Sequence, residues 1–445
     1  MQPYLLERVS NFLNEASKEI KPLIKRAIPR KILLFLKFFL PMGLLRVILI
    51  KSVSQNWRRA HKLHPWYPDS KEFDSGVNLV GYFRTVKGIS EAARSSALAL
   101  DAISIPYSVV DYEFGIPPSQ QVESLPESQH GYDFRFNTTL IHINPPQLPY
   151  LWVNFGKKEL SGRYGIGIWY WELPEFPDEW CFAFDLVDEV WVASQFVFDS
   201  VSAKSPVPVV KIPPCINTVI NDSLQRSDYN LPVDCFLFMC AYDVLSVQAR
   251  KNPYGAVEAF IRAFIANDSA VGLVIKVNNA TENPQEIKQL RDYLKDYSNC
   301  FIIEDVFDRP TFNSLINLID AYISLHRSEG FGLIPAEAMS LGKPVIMTRW
   351  SGNLDFMTDD NSCGVDYQLV PVGKGAGPYV PGQFWANPDL DQAAYFMQKL
   401  YVDKKFYAQI SNNAKKTIRD KFSPSHIGKL MKDRMKQVGL LSENQ

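Results

Sequence analysis

Residues 321–355 read AYISLHRSEGFGLIPAEAMSLGKPVIMTRWSGNLD. The run 321–325 is short, apolar and closed by the polar His326-Arg327-Ser328. That length and content suit a strand buried on both faces. Glu329-Gly330-Phe331-Gly332 follows, and its two glycines let a backbone approach a ligand closely. Pro335 then stands at a first helical position, Gly342 just past a helix end, and 344–347 reads as a second buried strand. The unit is strand–loop–helix–strand, and in open parallel sheets ligands bind at the carboxyl ends of the strands. Glu329 falls in the loop and Glu337 in the first turn of the helix, with seven residues between them. Both carboxylates are therefore expected on one crevice, beside the backbone N–H groups of Phe331, Gly332 and Leu333. Free N–H groups and the helix dipole make an anion site. Two acids beside it would repel a bare phosphate, so hydroxyls are their better partners. An anion flanked by hydroxyls describes a sugar nucleotide. An acidic first turn on an ordinary α/β helix also accounts for the acids; the glycines and flanking strands favour the ligand.

The segment SEGFGLIPAEAM, residues 328–339, resembles the signature of family 4 of the retaining nucleotide-sugar glycosyltransferases. The resemblance implies an α/β chain of GT-B fold, two Rossmann-like parallel-sheet domains facing a cleft. It implies that Glu329 contacts the transferred sugar and Glu337 the nucleotide ribose. Further matches extend it over about residues 75–420. The run VGYFRTVKGISEAAR, residues 80–94, is similar to the family's opening loop, with Gly88 on the acceptor side and Ser90 where a second glycine is common. At HINPPQ, residues 142–147, the family's His-x-His-x-Pro becomes His142-Ile143-Asn144, so Asn144 stands at the second histidine's place. Retaining members need no base from the protein, because the leaving phosphate oxygen takes the acceptor's proton.

Arg250-Lys251, on a loop that opens a helix, resembles the family's phosphate-binding basic pair. Alone, such a pair is usually solvated surface; in context it can clamp a diphosphate. Lys276, at the carboxyl end of a strand over 273–277, is a further donor-side cation. Asn353, in SGNLD, lies where a loop covers the sugar. Trp171-Glu172 closes another strand, and a tryptophan beside an acid suits either stacking on a sugar ring or aromatic packing beneath a lid. Asp389-Leu390-Asp391 has the spelling of a metal site, but its place at a helix start reads as capping, and no metal is expected.

The whole chain of 445 residues suits two or three domains. Its net charge of −1 hides an asymmetry: residues 1–60 carry 12 basic and 3 acidic side chains, and the remainder is acidic. An acidic body argues against a nucleic-acid partner, whereas a basic, apolar leader suits an anionic membrane surface. A span needs ~20 nearly charge-free residues, and Lys37 and Arg46 interrupt this run. Two short amphipathic helices lying in the interface are expected, with a soluble hairpin packed on the body as the alternative. No cleavable signal is read at the start, and six cysteines without metal spacing point to reduced thiols in the cytosol.

The expected organisation is a leader over 1–69 and an acceptor domain over 70–213. A donor domain follows over 214–420, and a last helix over 421–445 crosses back to the first domain. The expected function is hexose transfer from a nucleotide diphosphate sugar, a co-substrate rather than a resident cofactor, to a saccharide or lipid-linked acceptor in cell-envelope or exopolysaccharide synthesis. It is placed on the cytoplasmic face of the plasma membrane. A silent saccharide-binding scaffold and a nucleotide-sugar hydrolase or epimerase are the rival readings.

Overall fold

The computed structural model describes residues 51, 53, 55–56, 73–85, 87–113, 131–379 and 381–442. Nearly all of the basic leader lies outside these residues, and so does the expectation placed on it. Among the described residues, no helix is long and apolar enough to cross a membrane.

Short runs of Val, Ile and Leu separated by helical segments build parallel sheets, because each return to a parallel neighbour needs a crossover. The first sheet holds β1 (Asp74–Gly81), β2 (Tyr107–Asp111), β3 (Phe136–His142), β4 (Tyr164–Trp169), β5 (Glu189–Val192) and β6 (Val209–Lys211). Their order is β2-β1-β3-β4-β5-β6, all parallel. Helices α1 (Gly88–Ala102), α2 (Leu148–Leu160) and α3 (Gln195–Ser202) follow β1, β3 and β5.

The second sheet holds β7 (Phe236–Asp243), β8 (Val271–Asn278), β9 (Cys300–Ile303), β10 (Ala321–Ser324), β11 (Val345–Thr348) and β12 (Cys363–Val365). Its order, β12-β11-β10-β7-β8-β9, is again all parallel. The crossovers carry α4 (Gln248–Lys251), α5 (Pro253–Ala263), α6 (Pro284–Tyr293), α7 (Arg309–Leu318) and α8 (Leu333–Ser340). An antiparallel hairpin follows, β13 (Tyr367–Pro371) with β14 (Phe384–Pro388), and then α9 (Leu390–Val402), α10 (Lys404–Lys421) and α11 (Pro424–Gln437). The architecture is thus the expected pair of Rossmann-like domains. Helices α2 and α6, strand β12 and the hairpin were not anticipated from the sequence.

Each sheet has one point where consecutive crossovers leave in opposite directions: between β1 and β3, and between β7 and β10. A crevice opens at the carboxyl ends of the strands at such a point. The loops after β1, β3, β7 and β10 all line one cavity of about 500 Å³. That volume is within the usual range for a small-molecule site.

The domains meet over a wide front. Ile216 N–H donates to Phe422 O at 2.8 Å where the chain passes between them. Helix α11 lies across α1, and a Cβ on Gly428 would stand 2.4 Å from Ala99 O, so only glycine permits that approach. Arg434 of α11 reaches buried Glu189 at the start of β5 through two bonds of 2.9 and 2.6 Å.

Candidate functional site

The cavity is built from the turns at those two switch points. On the second-domain side β7 ends at Asp243, whose carboxylate accepts from Leu245 N–H and from Asn279 Nδ2. The chain then enters α4, where Arg250 and Lys251 occupy the last turn. Asn252, in the left-handed region at φ 51°, turns the chain into α5. Both cations meet Glu329: Lys251 Nζ stands 2.5 Å from Oε1 and Arg250 Nη1 3.2 Å from Oε2. Arg250 is buried and also donates to Ser328 O at 2.9 Å. Arg250, Lys251 and Glu329 all line the cavity.

Burial alone would push the Glu329 carboxyl up, but Lys251 and Arg250 outweigh it and hold the group at about 2, down from an ordinary 4.5. A depressed folded value contributes stability that is fully present above about pH 4.5 and is lost as pH falls toward 2. Glu329→Gln should therefore remove part of the acid limb of the stability profile between those values. Urea melts of both proteins across that range would show the two limbs converging; parallel limbs would mean that Glu329 carries no such coupling.

The glycine turn does what its sequence implies. Gly332 is the N-cap of α8 at φ 94°, where a side chain would be strained. Gly330, Phe331, Gly332 and Leu333 all line the cavity, so the amino end of α8 faces it. Gly330 is also a meeting point of the domains. Its carbonyl accepts from Ser194 Oγ at 2.7 Å, and a Cβ on it would lie 3.2 Å from Trp171 O. Behind it, Gly352 N–H donates to Glu329 O at 2.9 Å. A Cβ at Gly352 would overlap the Gly330 carbonyl at 2.2 Å, so the loop after β11 clamps the turn only because it has no side chain there.

Glu337 is placed differently from the expectation. Helix α8 starts at Leu333, two residues before Pro335, and Pro335 takes a later place in its first turn. A proline is tolerated there because the first N–H groups of a helix have no intrahelical partner. Glu337 therefore falls beyond the first turn. It is buried, does not line the cavity and is ion-paired with Arg309 at the start of α7. Its Oε2 is buried and has no hydrogen-bond partner among the described residues. Burial raises its pKa, opposed by Arg309 and reinforced by Glu91. Arg309 itself lines the cavity and reaches across to Glu91 of α1 at 3.3 Å, and Glu91 pairs with Arg94. A chain of alternating charges so joins α1 to α7 and α8.

Two further residues expected on the donor side do not line the cavity. Lys276 is fully buried within β8; its Nζ bonds Asn278 Oδ1 at 2.5 Å and lies 5.2 Å from the Phe307 ring centroid. Burial lowers its pKa to about 8, against Asp305 and Asp243. The strand continues to Asn278, and Asn278 and Phe307, not Lys276, line the cavity. Asn353 turns inward: Nδ2 donates to Thr348 O at 2.9 Å and Oδ1 accepts from His326 Nε2 at 3.0 Å. It holds the clamp loop in place.

On the first-domain side Gly88, Asn144 and Glu172 line the cavity. Gly88 opens α1 with clear space where a side chain would be. Ser90 is buried, bonds Thr85 Oγ1 at 2.6 Å and does not line the cavity. Asn144 Oδ1 accepts from Tyr170 N–H at 3.0 Å. His142 is buried, neither ring nitrogen is bonded among the described residues, and burial lowers its pKa to about 3, so it is a neutral core side chain away from the cavity. Trp171 is likewise core. Its ring meets Trp180 at 4.7 Å, and its Nε1 donates to Glu175 O. It supports the wall from behind and offers no face to a sugar.

Sequence reasoning missed Lys87, Tyr170 and Arg309, all of which line the cavity. Lys87 was within reach of the motif, being the residue just before α1; its pKa is lowered by burial, with Asp243 opposing. Asp389 accepts from the N–H groups of Asp391 and Gln392, so it caps α9. Among the described residues no cluster of His, Cys, Asp or Glu is arranged to hold a metal ion.

Two parallel sheets whose switch points share one cleft, with cations and a helix amino end on one wall, define a GT-B protein. Residues 248–417, most of the second domain, match the family model described as glycosyl transferases group 1. Solved structures agree over the fold. HepE of Anabaena, solved with UDP and glucose, aligns at a TM-score of 0.57 with 12% identity, covering 82% of this chain and 100% of its own. Sucrose-phosphate synthase of Thermosynechococcus elongatus gives 0.58 and 13%, covering 82% and 99%. A glycosyltransferase of Rickettsia africae gives 0.56 and 13%, again covering 82% and 99%. At such identities the likeness is one of fold. No curated protein matches the chain in sequence.

Proposed function

We propose that the protein is a retaining, metal-independent glycosyltransferase of family 4 that moves a hexose from a nucleotide diphosphate sugar to a hydroxyl of a saccharide or lipid-linked acceptor. One observation carries the reading: Arg250, Lys251, Glu329 and the amino end of α8 converge on the cleft between the sheets. In this reading the diphosphate lies against Lys251, Arg250 and the α8 amides, and Glu329 accepts from hydroxyls of the hexose. The sugar C1–O bond to the diphosphate breaks, the acceptor oxygen bonds C1 on the same face, and the acceptor's proton passes to the leaving phosphate oxygen. Negative charge grows on that oxygen, where fixed cations and amides act most strongly.

The ribose role that the resemblance gives Glu337 is retained as a proposal: the side chain sits behind the cavity wall, and its buried Oε2 has no hydrogen-bond partner among the described residues. Its pairing with Arg309 at the cavity wall then holds the carboxylate ready. Glu337→Gln is expected to weaken binding of the nucleoside diphosphate by about tenfold or more, since hydrogen bonds to charged groups are worth ~1.5–3 kcal/mol. Calorimetry with UDP and GDP measures it; unchanged affinity for whichever binds removes the ribose role.

The basic leader makes an envelope or exopolysaccharide acceptor at the cytoplasmic membrane face our reading of the setting. Full-length and leader-truncated chains should differ in flotation with vesicles containing anionic lipid; equal soluble fractions remove the membrane from the proposal. A screen of UDP- and GDP-sugars, read by released nucleotide and by product mass, tests the activity itself. Release without any glycoside product would make the protein a hydrolase.

A further inference from the structure

The hairpin β13–β14 carries an arm that no expectation drawn from the sequence assigned a role, and the arm belongs to the other domain's core. Val372, Ala376, Tyr379 and Trp385 are buried in the apolar cluster of the first domain. Gln383 exchanges two bonds with the backbone of Glu175, accepting from its N–H at 3.1 Å and donating to its carbonyl at 3.2 Å. The Tyr379 ring lies 5.5 Å from that of Trp171, and its hydroxyl donates to Glu172 Oε2 at 3.0 Å. Glu172 lines the cavity, and Glu172 and Tyr379 both lie within electrostatic reach of Arg250. At its base the arm returns to the same place. Ala386 N–H donates to Arg327 O, and Arg327 N–H donates to Arg250 O at 2.7 Å. The side chain that fixes Glu172 in the first domain therefore comes from the second.

We propose that Glu172, oriented by Tyr379, is the carboxylate that receives the acceptor, accepting a hydrogen bond from its attacking hydroxyl beside Arg250. This rests on the transferase reading above and names the acceptor side of that same site. One Glu172 oxygen is taken by the phenol; the other has no hydrogen-bond partner among the described residues, and an ionised carboxylate takes hydroxyl donors readily. Glu329 is ion-paired with Arg250, and Glu172 lies within its electrostatic reach, so in this proposal one carboxylate serves the donor hexose and the other the acceptor. Glu172 takes up no proton, which still goes to the leaving phosphate. Tyr379 is a positioning residue. Because it reaches across the domain gap, the acceptor site is complete only while the arm is docked.

The test uses the full chain, UDP-glucose and GDP-mannose as donor probes, and a panel of octyl hexosides as acceptor probes. Nucleotide release is followed with and without glycoside, and product by mass. Tyr379→Phe is expected to raise the acceptor KM by about tenfold with little change in kcat, the loss of one hydrogen bond. Glu172→Gln is expected to lower the ratio of transfer to donor hydrolysis by at least about tenfold, and Glu172→Asp to restore part of it. Hydrolysis and transfer falling together in both variants would show a merely structural role and overturn the proposal. So would unchanged acceptor KM, or a wild type that hydrolyses donor but glycosylates no member of the panel. A wild type that neither binds nor hydrolyses either donor overturns the transferase reading as well, so the two failures are told apart.

Discussion

Lys251→Ala is expected to lower transfer by ~10²–10³, the usual cost of removing one fixed electrostatic donor from a site where charge develops. The side chain is well suited to such a role. It stands in the last turn of α4, lines the cavity and is a quarter exposed, while neighbouring Arg250 is nearly sealed. Its removal leaves Glu329 with Arg250 as partner, so no buried charge is stranded and the fold should hold. The loss should fall on kcat more than on KM, because charge on the leaving phosphate is greatest in the transition state. Lys251→Arg keeps the charge but replaces a compact ammonium with a planar fork, and should recover only part of the rate. Initial rates with every active donor, beside thermal melts, measure this. Full turnover in Lys251→Ala would remove the residue from the site, and with it the assignment of the basic pair.

What the sequence made legible follows the range of the interactions. Strand β10, the glycine turn, the end of α8 at Gly342 and strand β11 are set by local rules: apolar runs, backbone freedom and helix stops. Arg250, Lys251 and Glu329 were each picked out from motif positions, but that both cations pair with Glu329, 78 residues from Lys251, was not expected. Glu337 was expected in the first turn of its helix and falls beyond it. Gly332 caps the helix earlier than Pro335 suggested, and two residues along a helix turn a side chain by ~200°. Strand β8 runs past the expected end to Asn278, leaving Lys276 inside it beside Phe307, and Asn353 bonds His326; a local window does not announce either direction. Arg309, Glu91 and Tyr379 were out of reach altogether. Each acts across the domain gap, and nothing in a local window says which surfaces two separate sheets will bring together.

Arg434→Ala is expected to cost ~3–5 kcal/mol of stability, since removing one partner of a buried pair leaves the other charge uncompensated. Glu189 is completely buried at the start of β5, and four bonds hold its carboxylate: two from Arg434, one from Tyr164 Oη at 3.1 Å and one from Trp191 Nε1 at 2.5 Å. The two neutral donors cannot replace a guanidinium. The damage should not stay local. Helix α11 is the tie that lays the end of the second domain across α1, and α1 begins with Gly88 at the cavity and carries Glu91 into the charge chain to Arg309. Loosening α11 should therefore reduce activity at temperatures where wild type is still folded, even though Arg434 does not line the cavity. A double-mutant cycle separates charge from packing: with Glu189→Gln already present, Arg434→Ala should cost markedly less than it does alone. Urea melts of the four proteins give the coupling. Additive losses would mean that the pair is incidental and that apolar contact alone holds the helix to the first domain.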